Sequence, residues 1–383
     1  MTTAVRDTSA LHDSLDRSGV AAAIKAQVAE GVDELTVDLR NALSLDASTL
    51  LLCAAVIATR ARCGLGVVLR LPAEPAGRDF LRAWAFQAAV ETAADVSLRR
   101  LVYPADRKHF GADPEPAPEP KIRVGVEGIV QRLEQERFFA AATYHLGANA
   151  NVTDMIHREW SRWRKHLFVD GLGPHLRGPR QDVARVVIQE LLANAAQHPD
   201  ARIATVTATV SADTAGDRYL VIAMWDDGTS IIKTLRSCLD DGQPIRAMGA
   251  PAHEHFDLEP VGWPTERTFL DSSMEPDAFD ADGELLVASL IAGISRKPSQ
   301  PGVPEVKRPE PSDWEAHVGY GLYALYRSVI NDFGGELHVR TQGHHLRLRA
   351  EQGDDHYVAR VEKYADEPEF AGNLITALLP ISS

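Results

Sequence analysis

Three polar residues recur every fourth position in the segment Gln181 to His198 (QDVARVVIQELLANAAQH): Glu190, Asn194 and His198. An α-helix turns about 100° per residue, so steps of four drift by only about 40°, and the three groups form one stripe roughly 12 Å long. A carboxylate, an amide and an imidazole in line could serve a water, a metal ion and a phosphate. The same stripe also fits a solvated helix face. Val183, Val187, Leu191 and Ala195 give that helix its apolar stripe, and Pro199 stops it.

Two further segments add chemistry. Arg202 to Val210 (RIATVTATV) alternates as a strand does, and Tyr219 to Trp225 (YLVIAMW) follows after a polar turn and ends in Asp226-Asp227-Gly228. Asp226 shares parity with Leu220, Ile222 and Met224, which turns it toward the core at the strand end. A buried carboxylate needs a donor, and an adenine exocyclic amine is a suitable one. Gly228 lets the backbone pass close to a base. Further on, Val318 to Thr341 (VGYGLYALYRSVINDFGGELHVRT) opens with Gly319-Tyr320-Gly321 and reads as a helix ended by Gly334-Gly335, then a strand. Glycines at a helix start expose amide hydrogens at the positive end of the helix dipole, which suits a phosphate.

The order ExxxNxxxH helix, hairpin, DxG, long interval, GxGL helix and GGxLxV strand resembles the GHKL ATP-binding superfamily, and ELLANAAQH is particularly similar to anti-sigma serine kinases and sensor-kinase ATP domains. The resemblance spans roughly residues 150 to 383. It implies ATP and Mg²⁺ as ligands. It makes Glu190 a general base and Asn194 a Mg²⁺ ligand, and it places His198 near the nucleotide. Asp226 would take the adenine amine with Gly228 beside it. Gly319, Tyr320, Gly321 and Leu322 would lie under the phosphates. GNLITALLP is similar to the family's closing Gly-Thr strand, with Asn373 in place of the threonine. Ser230 stands where the family often has a second glycine. The interval from Asp226 to Gly319 is 319 − 226 = 93 residues, which implies an elaborated ATP lid over 229–318.

These motifs need a scaffold. The chain has 383 residues, enough for two domains, with ordinary globular usage of 45% hydrophobic and 25% charged residues. Lys plus Arg number 40 against 54 Asp plus Glu, a net charge of −14, so the chain is a poor non-specific partner for nucleic acid. Cys53, Cys63 and Cys238 form no paired framework and fit a reducing cytoplasm. The most apolar run, Thr49 to Thr59 (TLLLCAAVIAT), is too short to span a bilayer and reads as a buried helix, so no membrane association is expected.

Proline at 114, 116, 118 and 120 marks a linker over 104–121. Before it, a strand at Leu35 to Leu39, the apolar helix, a strand at Gly64 to Leu71 and a helix at Asp79 to Ala89 build a small α/β layer. VDLRNALSLDASTLLL, GLGVVLRLP and RDFLRAWAF resemble STAS-like domains, in which a Ser or Thr at the first helix start can be phosphorylated; Ser48 and Thr49 sit there. Asp46 or Ser48 acting as helix N-cap is the preferred reading of that start. After the linker, Ile122 to Leu146 reads as a strand then a helix, and Asp154 to Lys165 as an amphipathic helix.

His253-Glu254-His255 with Asp257 lacks a tetrahedral spacing and reads as solvated, and His344-His345 reads as an exposed turn. The expected fold is α/β with two domains: a STAS-like layer domain over 20–103, then a GHKL (Bergerat-type) α/β sandwich over 122–383 with a long lid. The expected function is Mg²⁺-ATP binding with slow hydrolysis that switches a protein partner or self-association. An anti-sigma-type serine/threonine kinase and a non-hydrolysing nucleotide-gated module are the alternatives.

Overall fold

A computed structural model describes residues 19–42, 45–109, 138–146, 151–169, 179–198, 200–212, 217–240, 255–258, 267–268, 282–290, 321–350, 356–363 and 369–381. The architecture is mixed α/β. In the N-terminal part, α1 (Val20–Ala29), β1 (Glu34–Asp38), α2 (Ala47–Arg62), β2 (Gly66–Arg70), α3 (Pro75–Ala83), α4 (Phe86–Ala94) and α5 (Leu98–Leu101) follow one another. β1 and β2 pair in parallel, with Leu35 beside Val67 and Val37 beside Leu69. The helix expected over Asp79 to Ala89 is two helices instead. Ala85 takes a left-handed conformation (φ 66°) next to the fully buried Trp84, which breaks the chain there.

The remaining elements are β3 (Phe138–His145), α6 (Val152–Val169), α7 (Pro179–Gln197), β4 (Ile203–Ala212), β5 (Arg218–Asp226), α8 (Ile231–Asp240), β6 (His255–Leu258), β7 (Arg267–Thr268), α9 (Asp282–Ala288), α10 (Gly321–Tyr326, continued as a π-helical segment Arg327–Asp332), β8 (Glu336–Thr341), β9 (His344–Ala350), β10 (His356–Lys363) and β11 (Asn373–Ile381). They include one sheet of order β3-β4-β5-β11-β8-β9-β10-β6-β7, antiparallel throughout except for the β10–β6 pair. Phe138–His145 is thus an edge strand against β4 and not the helix expected there; its Phe, Thr and Tyr residues suit a pleated surface.

The β8–β9 hairpin corrects a second expectation. Gln342 (φ 47°) and Gly343 (φ 73°) take positive φ together, a two-residue turn of the kind that matches strand twist. The turn therefore lies before the histidines. His344 and His345 begin the returning strand and are buried, His345 completely.

Strand β5 shows why its sequence is an unbroken apolar run. Leu220, Ile222 and Met224 join a core with Val187, Leu191 and Leu325 from α7 and α10. Val221, Ala223 and Trp225 face the other way, into a core shared with α2. Every residue from Ala47 to Ala58 is buried, as expected for a helix apolar on all sides. The two chain halves therefore meet through a common core in which α2 covers one face of β4, β5 and β11. Within the expected linker one segment has defined structure, although none of its residues is buried. Pro104–His109 is a 3₁₀ turn, and Asp106 accepts the Leu71 amide.

Asp46 caps α2, accepting from the amides of Ser48 (2.8 Å) and Thr49 (3.1 Å) and from the Thr49 hydroxyl (2.6 Å). Ser48 and Thr49 are both buried, and the Ser48 hydroxyl accepts from Thr376 Oγ1 on β11 at 3.0 Å. Among the described residues no helix is long and apolar enough to cross a membrane.

Candidate functional site

Glu190 and Asn194 lie on helix α7 beside its packed face, whose Val187, Leu191 and Ala195 are all fully buried against the sheet. His198 lies one residue beyond its last turn and still donates its amide to Asn194 O at 3.1 Å. At the same end, β5 and β11 run side by side with Asp226 opposite Asn373. The structure brings His198, Asp226 and Asn373 together.

Asn373 is the hub of this group. Its Nδ2 donates toward both Asp226 carboxylate oxygens, at 3.3 Å each, and lies 3.0 Å from His198 Nδ1. Its Oδ1 accepts from the Ile231 amide at 2.9 Å and from Thr341 Oγ1 at 2.8 Å. His198 Nδ1 is also 3.2 Å from Thr229 O, so it accepts from Asn373 in one tautomer and donates to Thr229 in the other. Asp226 Oδ1 accepts the Gly228 amide at 3.1 Å. Burial pushes the Asp226 carboxyl above its ordinary range; His198, the Gly228 amide and Asn373 pull it down, and neighbouring Asp227 pushes it up. Among the described residues Oδ2 receives only the long contact from Asn373, and a carboxylate oxygen can accept from a further donor.

Farther along α7, Glu190 is buried, and burial alone pushes its carboxyl up to about 7. Asn194 Nδ2 is buried with no hydrogen-bond partner among the described residues. The two residues on one stripe therefore hold unspent chemistry. One is a carboxyl poised to exchange a proton near neutral pH, and the other is an amide with donor capacity to give.

α10 starts at Gly321 and packs against α7, with Leu322 partly buried on the same core. Gly319 and Tyr320 lie outside the described residues, as do His253, Glu254 and most of the interval 229–318. Of that interval, Ser230 closes the first turn of α8. Its hydroxyl accepts the Lys233 amide at 3.1 Å and donates to Gln342 Oε1 at 2.6 Å, so this serine has a structural part to play where a glycine was expected. Among the described residues no three His, Cys, Asp or Glu side chains converge as a metal set.

Sequence reasoning missed Asp227 and took Gly372 only as the start of the closing GNLITALLP strand. Asp227 points to the opposite side of the strand end from Asp226, as alternation requires. It accepts the amides of Arg202 (2.8 Å) and Ile203 (3.0 Å) and the guanidinium groups of Arg62 (2.6 Å) and Arg202 (3.1 Å). The doubled Asp-Asp before a glycine was the available signal. Gly372 has φ 88°, and a Cβ there would stand 1.8 Å from Asp226 O, so only glycine lets β11 enter so close to the β5 end.

The site is closed over: Asp226 is 1% exposed, Asn373 0% and the His198 side chain 16%. A separate cavity of about 100 Å³ lies between α6 and α7, lined by Ile156, His157, Trp160, Arg185 and Gln189 among others, but it holds none of these groups. The chain matches no family model, no curated protein and no solved structure.

Proposed function

We propose that this protein is a GHKL-type Mg²⁺-ATP-binding protein that hydrolyses ATP slowly and uses the nucleotide to switch a protein partner or its own association. The observation that supports this best is the buried Asp226 carboxylate at the end of β5. It is held by Asn373 and the Gly228 amide, and one oxygen keeps room for another donor. An adenine amine matches that acceptor; guanine presents a carbonyl in the corresponding place. Because the pocket is closed, a base enters only with local opening around His198, the most exposed of the three side chains.

The residues fit the ligand in two further ways. Asn194, with unspent amide capacity one turn from His198, would hold the metal through its oxygen and a phosphate through its nitrogen. Bound Mg²⁺-ATP would supply the phosphoanhydride and the charge that activates it. Glu190, near half-protonated at pH 7, would take the proton from an attacking water. α10, which starts at Gly321, packs against the same helix, in keeping with a phosphate position near its start.

The kinase alternative needs an acceptor hydroxyl. Ser48 and Thr49 are buried against Thr376 and Asp46, so a cis substrate at these positions conflicts with the folded state, and a kinase reading requires a target in trans. Calorimetry of the full chain with Mg²⁺-ATP and Mg²⁺-GTP tests the proposal. We expect ATP binding with clear preference over GTP; equal affinities, or no heat with either nucleotide, would overturn it.

A further inference from the structure

Helix α2 belongs to the N-terminal half, yet its last two turns reach both chain segments that form the adenine end of the site. Arg62 Nη1 donates to Asp227 Oδ2 at 2.6 Å, one residue beyond Asp226. Thr59 Oγ1 accepts the Ala371 amide at 2.9 Å, two residues before Asn373. The Ala371 carbonyl in turn accepts Trp225 Nε1 at 2.9 Å, one residue before Asp226. Phe370 and Trp225 are buried in the same core as α2. Gly372 then brings the two segments to direct backbone contact.

The polar links are placed where they have leverage. Asp227 has a fully buried side chain, so its charge must be compensated, and Arg62 and Arg202 share one of its oxygens. Arg202 is half exposed and stands immediately before β4 of the large sheet; Arg62 is the more buried of the two and the only one of them from the N-terminal half. Because consecutive side chains at the β5 end point to opposite faces, a shift of Asp227 toward α2 rotates Asp226 on the other face.

We propose that α2 is a built-in positioning element of the nucleotide site, with Arg62 and Thr59 as positioning residues that hold the Asp226–Gly228 and Ala371–Asn373 segments in register for the base. The proposal rests on the nucleotide reading above and deepens it. The N-terminal half acts as a fixed regulator of adenine recognition, and by linkage bound nucleotide stabilises the seating of α2 as much as α2 favours the nucleotide.

The test uses the full chain and measures ATP and GTP affinity, together with hydrogen exchange of 57–66 with and without Mg²⁺-ATP. Arg62→Met is expected to weaken ATP binding by about fivefold or more and to narrow the preference for ATP over GTP. Arg62→Lys, which keeps a cation within reach of Asp227, should recover most of both. Thr59→Val, nearly isosteric, should move both readouts the same way and carries the test if Arg62→Met does not fold. Arg60→Met is the control. Among the described residues Arg60 donates to carbonyls of Val32, Asp33 and Gly66, all within the N-terminal half, so its loss should lower the melting temperature but leave the nucleotide preference unchanged. ATP should protect 57–66 from exchange in the parent chain and less so in Arg62→Met. Parent-like affinity and preference in both Arg62→Met and Thr59→Val, or equal effects from Arg60→Met, would overturn the positioning role while leaving ATP binding intact. A parent chain that binds neither nucleotide would overturn the nucleotide reading and this inference together.

Discussion

Asn373 and Asp226 face each other across the β11–β5 ladder, and the Asn373 Nδ2 lies 3.3 Å from both carboxylate oxygens of Asp226. Both residues are buried, so the amide serves as the main side-chain donor to a carboxylate that water does not reach. Asn373 also accepts from Ile231 and Thr341 through its oxygen, and its amide group offers two N–H donors where a threonine hydroxyl has one.

Replacing that amide with a second carboxyl is the sharpest test of the pair. Asn373→Asp sets two buried carboxyls about 3 Å apart, and only one can ionise readily. The folded-state pKa of the pair then rises above the unfolded value, so stability present at low pH is lost as pH increases. We expect Asn373→Asp to lose roughly 1–3 kcal/mol at pH 5 and more at pH 8. Urea unfolding at the two pH values measures this. An equal loss at both would mean that Asp226 does not feel position 373.

Glu190 is expected to show the same sign. Its carboxyl titrates near 4.5 in the unfolded chain and is raised to about 7 by burial. Below the lower value both states hold the proton; as pH rises through about 7, the stability that the protonated form contributed is lost. Glu190→Gln never ionises, so it should be more stable than the parent at pH 8, by roughly 2–4 kcal/mol, and little different near pH 4. The same variant should lose ATP turnover by about 10²–10⁴-fold while retaining ATP binding. Parent-like hydrolysis would remove Glu190 from the role of base, whatever its effect on stability.

Adenine selectivity should depend on Asp226. Asp226→Asn turns a two-oxygen acceptor into one that also presents a donor, toward both Asn373 and the base. ATP affinity should fall roughly fivefold to a hundredfold, with a smaller change for GTP. Equilibrium dialysis with both nucleotides decides it; a uniform loss for ATP and GTP would point to general disruption of the site instead.

Gly372→Ala should be among the most damaging small changes in the chain. Its φ of 88° disfavours any side chain, and the added carbon would overlap Asp226 O. We expect a loss of about 1–3 kcal/mol from the backbone alone, with further loss from displacing β5. Thermal unfolding of Gly372→Ala beside Gly64→Ala separates the two contributions. Gly64 has a similar φ of 69° with nothing within 4 Å of its added carbon. Equal effects at the two positions would show that the close approach to Asp226 is unimportant.

Periodicity by itself determined much of this protein. The four-residue recurrence put Glu190 and Asn194 on one side of α7 with His198 just past its end, and the alternation of β5 placed Asp226 with Leu220, Ile222 and Met224. The apolar run after Asp46 was legible as a buried helix capped by Asp46 or Ser48, and the structure makes Asp46 the cap. These are local properties, set by the rise and turn of one element. The tertiary structure decided what crosses between elements. Phe138–His145 is a strand because β4 offers it an open edge, and His345 is buried because the turn falls at Gln342-Gly343. Arg62 meets Asp227 across 165 positions of sequence because α2 covers the second face of β5. Nothing in the spacing around Arg62 or Asp227 announces the other, since an ion pair between distant segments exists only once a particular face of the sheet has been covered by a particular helix.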